Sequence, residues 1–280
     1  MNPITRFLAA AIAVVPLASA DTEFRVLSYN IHHAEGTDGK LDLDRIAAVI
    51  LAERPDVVCL QEVDRGCART QGIDMPAEFA KRLNMKVTFG PNLKHDGGDY
   101  GNATFSRFPI VESENFPLPD PENGEPRGCL RVTLEIGGHQ VDILNTHFDL
   151  TPAARREQAA RVVELLREVP AVLAGDLNEA PGAPGVSQLM APLRDTFGAG
   201  KPDPETEKMA ATRIDYVLAS GALNVLSSRF VVTPAAQAAS DHLPYWALLS
   251  VGPAPETAKD RGVRDNVDRR IDGAILPGER

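Results

Sequence analysis

Ala171-Val172-Leu173-Ala174-Gly175-Asp176-Leu177-Asn178 is a short apolar run that ends abruptly in a glycine, a carboxylate and an amide. A run this short and apolar, bounded by turn residues, reads as a strand over residues 171–174 buried on both faces. Asp176 and Asn178 then stand at its C-terminal mouth, where α/β proteins place their sites. The same arrangement recurs outward along the chain. Residues 24–30 alternate, are β-rich, and end in Asn30 ahead of His32 and His33. Residues 56–61 form a second apolar strand that ends in Gln61 and Glu62. Residues 130–136 and 141–146, separated by Gly137-Gly138, read as a hairpin whose second strand delivers Asn145 and His147. Asp215 lies in Arg213-Ile214-Asp215-Tyr216 at the start of a strand over 214–218, and Asp241-His242 precede a last strand over 245–251.

Between these strands the apolar period changes. Residues 41–53 carry Leu43, Ile46, Ala47, Ile50 and Leu51 at helical spacing, with Asp42 or Asp44 as cap and Pro55 closing the segment. Residues 77–83 read as a helix, and 152–168 as an amphipathic one opening at Pro152. Short strands are expected at 87–89, 103–106 and 229–232. Hairpins and crossovers therefore mix. This argues for an α/β sandwich with antiparallel pairing rather than a pure doubly wound sheet. Residues 22–252 show no repeat and no linker, so one domain is the economical reading. Beyond Pro253 the chain is charged and aperiodic, and residues 253–280 read as a mobile tail.

The first twenty residues read differently. Arg6 supplies a positive n-region, residues 7–18 are apolar but short for a bilayer, and Ala18-Ser19-Ala20 offers small residues for a peptidase. This pattern predicts a signal peptide over 1–20, hence export to the periplasm or the medium, with no transmembrane segment in the mature chain. The remaining chain holds 28 Lys and Arg against 39 Asp and Glu, a net charge of −11. That balance argues against non-specific attraction to nucleic acid, although a local basic groove stays compatible with it. Aromatic residues are only 5%, too few for an extended base-stacking platform. Of three cysteines, Cys59 lies in an apolar run and reads as buried, whereas Cys67 and Cys129 each follow Arg-Gly and are expected to pair after export. No CxxC or HxxxH spacing suggests a zinc site.

Singly, these polar fragments read as well as turns and caps. Their joint order is more specific. Ser28-Tyr29-Asn30-Ile31, Leu60-Gln61-Glu62-Val63, Tyr100-Gly101-Asn102-Ala103 with Ser106-Arg107, Asn145-Thr146-His147, Gly175-Asp176-Leu177-Asn178, Arg213-Ile214-Asp215-Tyr216 and Ser240-Asp241-His242 follow one another over residues 24–250. In this order they resemble the endonuclease/exonuclease/phosphatase superfamily, the DNase I-like fold. The resemblance implies a four-layer α/β sandwich, two packed mixed β-sheets flanked by helices. It also implies a Mg²⁺-dependent hydrolase of a phosphate ester, with Mn²⁺ as a substitute; the sequence leaves the oligomeric state open, and a monomer is expected.

Hydrolysis of a phosphate ester needs an activated water, stabilised phosphoryl oxygens and help for the leaving oxygen. The resemblance distributes these tasks. Glu62 is the expected metal ligand, supported by Asn30 and Asp241. His242 contacts the phosphate or takes a proton from the water, and Asp215 fixes its tautomer. Asp176 and Asn178 position the water or assist the leaving group, and His147 donates to a phosphoryl or leaving oxygen. Asn102 and Asn145 are placed with the substrate, and Arg65, Arg127 and Arg213 are candidate phosphate clamps. Where some relatives carry an acidic residue, this chain has His32, which argues against a carboxylate-rich second metal site. His32 and His33 then bind substrate phosphate, bind a softer metal, or form a solvated turn. The expected function is an exported phosphodiesterase acting on a lipid head group or small molecule. A secreted nuclease and an inactive binding protein are the alternatives. Substrate choice is expected from residues 93–100 and 117–126.

Overall fold

The computed structural model describes residues 21–252. The readings of residues 1–20 as a signal peptide and 253–280 as a tail lie outside them. Twelve strands form two six-stranded sheets. The first contains β1 (Thr22–Asn30), β2 (Val57–Arg65), β3 (Lys86–His95), β4 (Gly98–Ser106), β11 (Leu223–Phe230) and β12 (Tyr245–Val251), in the order β11-β12-β1-β2-β4-β3. The second contains β5 (Ile110–Pro117), β6 (Gly128–Ile136), β7 (His139–His147), β8 (Ala171–Asp176), β9 (Leu193–Asp195) and β10 (Asp215–Ser220), in the order β5-β6-β7-β8-β10-β9. Each sheet has one parallel pair near its middle, β1 with β2 and β7 with β8, and is otherwise antiparallel.

Side-chain alternation explains the layers. Phe24, Val26, Val57 and Cys59 of the first sheet meet Leu130, Val132, Ile143, Val172 and Ala174 of the second in the central core. The intervening positions, Leu27, Tyr29, Val58 and Leu60, face outward against helices α1 (Leu43–Glu53) and α2 (Met75–Leu83). On the other side Leu144, Ala171 and Leu173 pack against α3 (Pro152–Leu165) and α4 (Pro184–Leu189). Central strands buried on both faces need unbroken apolar runs, which is why 171–174 reads as it does. Asp42, Asp74 and Thr151 cap the three longer helices by accepting from backbone N–H groups. None of the described helices is long and apolar enough to cross a membrane.

Several expectations need correction. Residues 93–100, expected to govern substrate choice as a loop outside the strands, are instead the tip of the long β3–β4 hairpin. The strand expected at 229–232 is β11, which ends at Phe230. Strand β5 was not anticipated, because it is largely exposed and lacks clean alternation. Helices α4, α5 (Pro204–Lys208) and α6 (Pro234–Ala239) are too short to show a helical period. Cys67 and Cys129 do not pair: all three cysteines are free and buried. The Cys67 thiol donates to the Asp99 carbonyl at 3.3 Å beside the first sheet, whereas Cys129 lies in β6 of the second sheet and packs in its outer core. The Arg-Gly prefix that the two cysteines share hid this difference in layer.

Candidate active site

Strand register builds the site. Asp176 at the end of β8 is the partner of His147 on one side and of Asp215 on the other. Across the sandwich Asn30 ends β1 beside Gln61 of β2. The polar ends of the two parallel pairs therefore meet at one edge of the molecule. The Ser240-Asp241-His242 turn is tied onto β1: the Ser240 hydroxyl donates to the Asn30 carbonyl at 2.9 Å and accepts from the His242 N–H at 3.2 Å. A cleft of about 420 Å³ opens there, lined by His32, His33, Glu62, His147, Asp176, Asn178, Asp241 and His242 among others.

The Asp176 carboxylate stands between two imidazoles. Its Oδ2 is 3.4 Å from His147 Nε2 and 3.6 Å from His242 Nε2. His242 Nδ1 in turn lies 2.9 Å from Asp215 Oδ2. The other oxygen, Asp215 Oδ1, is buried without a hydrogen-bond partner among the described residues. These surroundings drive the two histidines apart. Burial, then the charges of Arg127 and His242, hold His147 well below the ordinary histidine range. Burial opposes charge on His242 as well, but the hydrogen bond with Asp215 and the charges of Asp215, Asp176 and Asp241 outweigh it and push it up to about 10. Burial first, and repulsion from Asp215 second, raise Asp176 far above the carboxylate range. One neutral and one cationic imidazole around a protonatable carboxylate is a division suited to acid–base chemistry.

Non-glycine residues with positive φ gather here: His32 (45°), His33 (41°), Ala34 (62°), Glu62 (58°) and Asn178 (50°). Each such residue costs about 1–2 kcal/mol, and such strain concentrates at functional sites. At Glu62 the cause is visible. The β2–β4 register slips between Leu60 and Val63, a bulge that turns a carboxylate into the cleft. The Asn178 N–H donates to Asp176 Oδ1 at 2.9 Å, and its Nδ2 donates to the Phe148 carbonyl at 2.9 Å, so this amide clamps the turn after β8.

Not every expected residue reaches the cleft. Asn145 is fully buried, and its amide donates to the carbonyls of Leu60 (3.1 Å) and Ala103 (3.0 Å) and accepts from Gln61 Nε2 at 2.8 Å. It ties the two sheets together rather than touching substrate. Asn102 is buried beside it and donates to the Gly128 carbonyl at 3.1 Å. Arg65 pairs with Asp99 at 2.6 Å and stacks on Phe89. Arg213 pairs with Asp195 and lies between the rings of Phe197 and Tyr216. Neither arginine lines the cleft, since a carboxylate and an aromatic face hold each elsewhere. Arg127 does line it, bridged to Glu125 at 3.2 Å. Arg69, His95, Tyr100 and Glu125 also line it and were missed. His95, Tyr100 and Glu125 belong to the two segments singled out for substrate choice. Arg69 carried no signal beyond its charge.

Donor chemistry bears on the metal. The carboxylates of Glu62, Asp176 and Asp241 face one cleft, and Asp215 behind them keeps an oxygen without a hydrogen-bond partner among the described residues. This hard oxygen set fits Mg²⁺. Asn30 does not present an oxygen to it: Nδ2 donates to Glu62 Oε1 (2.9 Å) and Asp176 Oδ2 (3.1 Å), while Oδ1 accepts from the His32 N–H. In this orientation the amide bridges two carboxylates at the end of β1.

Comparison with known proteins agrees with this fold. Residues 27–242 match the Endonuclease/Exonuclease/phosphatase family. The chain is 28% identical over 180 residues to the uncharacterized protein YbhP of Escherichia coli (strain K12), covering 59% of this chain and 70% of that protein. An endonuclease/exonuclease/phosphatase from Beutenbergia cavernae superposes with a TM-score of 0.67 at 31% identity, over 84% of this chain and 73% of that one. The human Nocturnin catalytic domain with bound sulfate superposes with a TM-score of 0.64 at 25% identity, over 82% and 94%. The chain belongs to the Endonuclease/Exonuclease/phosphatase family, a family of hydrolases that act on phosphate esters and generally depend on divalent metal.

Proposed function

We propose that the chain is an exported, Mg²⁺-dependent phosphodiesterase acting on a small or lipid-derived phosphate ester. One observation carries this reading: the Asp176 carboxylate lies between His147 and His242, with Asp215 fixed behind His242. The similar human Nocturnin catalytic domain carries a bound sulfate, a tetrahedral dianion like phosphate, which is in keeping with an oxyanion as ligand. Export rests on the reading of residues 1–20, and the acidic balance of the remaining chain favours a small ester over DNA.

In this reading Asp176, raised toward neutrality, accepts a proton from the attacking water. Asn178 holds Asp176 through its N–H and keeps that oxygen in place. His242 is the cation that meets charge developing on the phosphoryl oxygens, and Asp215 stabilises that cation. His147, buried and neutral, hydrogen-bonds a phosphoryl or leaving oxygen without bringing a charge that would have to be desolvated. Arg127 adds a second positive group at the cleft wall. Glu62 and Asp241 would hold the Mg²⁺, which when bound supplies Lewis-acid polarisation of the phosphoryl group.

The test is a screen of the protein with Mg²⁺ against bis-p-nitrophenyl phosphate, p-nitrophenyl phosphate, phospholipids and plasmid DNA. Diester hydrolysis that disappears with EDTA and returns with Mg²⁺ or Mn²⁺ is expected. Faster monoester turnover would overturn the diesterase assignment, and full activity after exhaustive chelation would overturn the metal dependence.

A further inference from the structure

We propose that His32, His33 and Glu62 form a site for a borderline first-row divalent cation of the Zn²⁺ or Co²⁺ class, alongside the oxygen donors assigned to Mg²⁺. The proposal shares Glu62 and the cleft with the phosphoesterase reading and rests on it only to that extent.

A ligand atom from each of the three residues lies within 4.8 Å of the other two. Side chains of consecutive residues normally diverge. Here His32, His33 and Ala34 all have positive φ, and the left-handed turn brings the two rings to 4.5 Å between centroids at 65°. Nothing about a solvated turn calls for that conformation in three successive non-glycine residues.

Glu35 hydrogen-bonds one ring and lies against the other. Its carbonyl oxygen is 3.3 Å from His32 Nδ1, and its carboxylate Oε2 is 3.6 Å from His33 Nε2. A histidine that gives one ring N–H to a carbonyl or carboxylate keeps a lone pair on the other nitrogen, the outer-shell pattern of metal-binding imidazoles. For His32 that leaves Nε2, and on His33 the ring nitrogen other than the one facing Glu35 is Nδ1. The latter is buried and has no hydrogen-bond partner among the described residues. The strongest cation nearby, Arg69, is neutralised by two 2.8 Å bonds to the buried Asp64 carboxylate, so it neither fills the site nor repels a metal at full charge.

The donor set decides the class of ion. Two imidazoles and one carboxylate, open to the cleft, match a site that retains a free coordination position for zinc-like metals. Mg²⁺ takes imidazole poorly, whereas Co²⁺ and Zn²⁺ favour it.

The probe is the metal alone. Chelator-stripped protein is titrated with Co²⁺, followed by its visible d–d absorption, and with Mg²⁺ by calorimetry. A Co²⁺ dissociation constant at least one hundredfold below that for Mg²⁺ is expected. His32→Asn and His33→Asn should each weaken Co²⁺ at least tenfold while leaving Mg²⁺ affinity within twofold. Glu35→Gln, at a half-exposed side chain, should weaken Co²⁺ about tenfold through the His33 ring it lies against, and it supplies the test if a histidine variant fails to fold. Unchanged Co²⁺ affinity in these variants overturns the proposal. Hydrolysis of bis-p-nitrophenyl phosphate with Mg²⁺ is measured in parallel. Histidine-dependent Co²⁺ binding without any turnover would support this site and sink the phosphoesterase reading. Turnover with Co²⁺ binding indifferent to both histidines would do the reverse.

Discussion

Asp215 Oδ2 lies 2.9 Å from His242 Nδ1, joining a residue at the start of β10 to a turn that hangs on the end of β1 in the opposite sheet. The contact leaves Nε2 as the only ring nitrogen of His242 able to reach a substrate, and it makes the two residues one unit. His242→Ala should lower kcat by roughly a hundredfold or more, the scale of a positioned acid–base group. Asp215→Asn should also lower kcat while the fold persists. In steady-state kinetics the double variant should be little worse than His242→Ala alone, because groups acting together are not additive. Losses that simply multiply would dissolve the pair.

The same contact has a pH signature in metal-free protein. The folded-state pKa of His242 is raised from the ordinary histidine value to about 10. Its contribution to stability is therefore fully present below about 6.5 and is lost as pH rises through about 10. In EDTA, the urea midpoint of the wild type should exceed that of Asp215→Asn most below pH 6.5, and the gap should shrink toward pH 10. A gap that widens with pH would contradict the sign.

Removal of the Asn145 side chain should act on stability. Asn145→Ala leaves the buried carbonyls of Leu60 and Ala103 without this donor and opens a hole between the sheets. A loss of about 2–4 kcal/mol in urea unfolding is expected. Unaltered stability with a raised KM would return Asn145 to the substrate.

The thiols should all be free. Burial pushes Cys59 and Cys129 up to about 12 and Cys67, with help from the Asp64 charge, up to about 11. Native protein should react slowly with a thiol reagent at neutral pH, and denatured, unreduced protein should yield three thiols. Only one thiol in the denatured sample would restore the Cys67–Cys129 bridge.

Much of this architecture is local. The apolar runs at 57–60 and 171–174 and their polar ends at Glu62 and Asp176 can be read directly, because strand alternation and strand termination are properties of a few adjacent residues. The bulge at Glu62 cannot, since it has no glycine to announce it and arises from a mismatch with β4, far along the chain. The His32–His33 turn is hidden for the same reason: two adjacent histidines do not advertise a left-handed backbone.

By itself the sequence determined most of the central strands along the chain and many of the polar groups that end them. All of these follow from period-two burial and from residues that end strands. The tertiary structure alone decided which of those groups share the cleft. Arg65 and Arg213 carry the same charge as Arg69 and Arg127, yet Asp99, Asp195 and three aromatic rings hold the first two away. Asn145 and Asn178 are the same residue type at two strand ends, yet one is sealed between the sheets and the other lines the cleft. Ion pairing, hydrogen bonding and burial depend on distances between segments remote in sequence, and those distances exist only once the two sheets have packed.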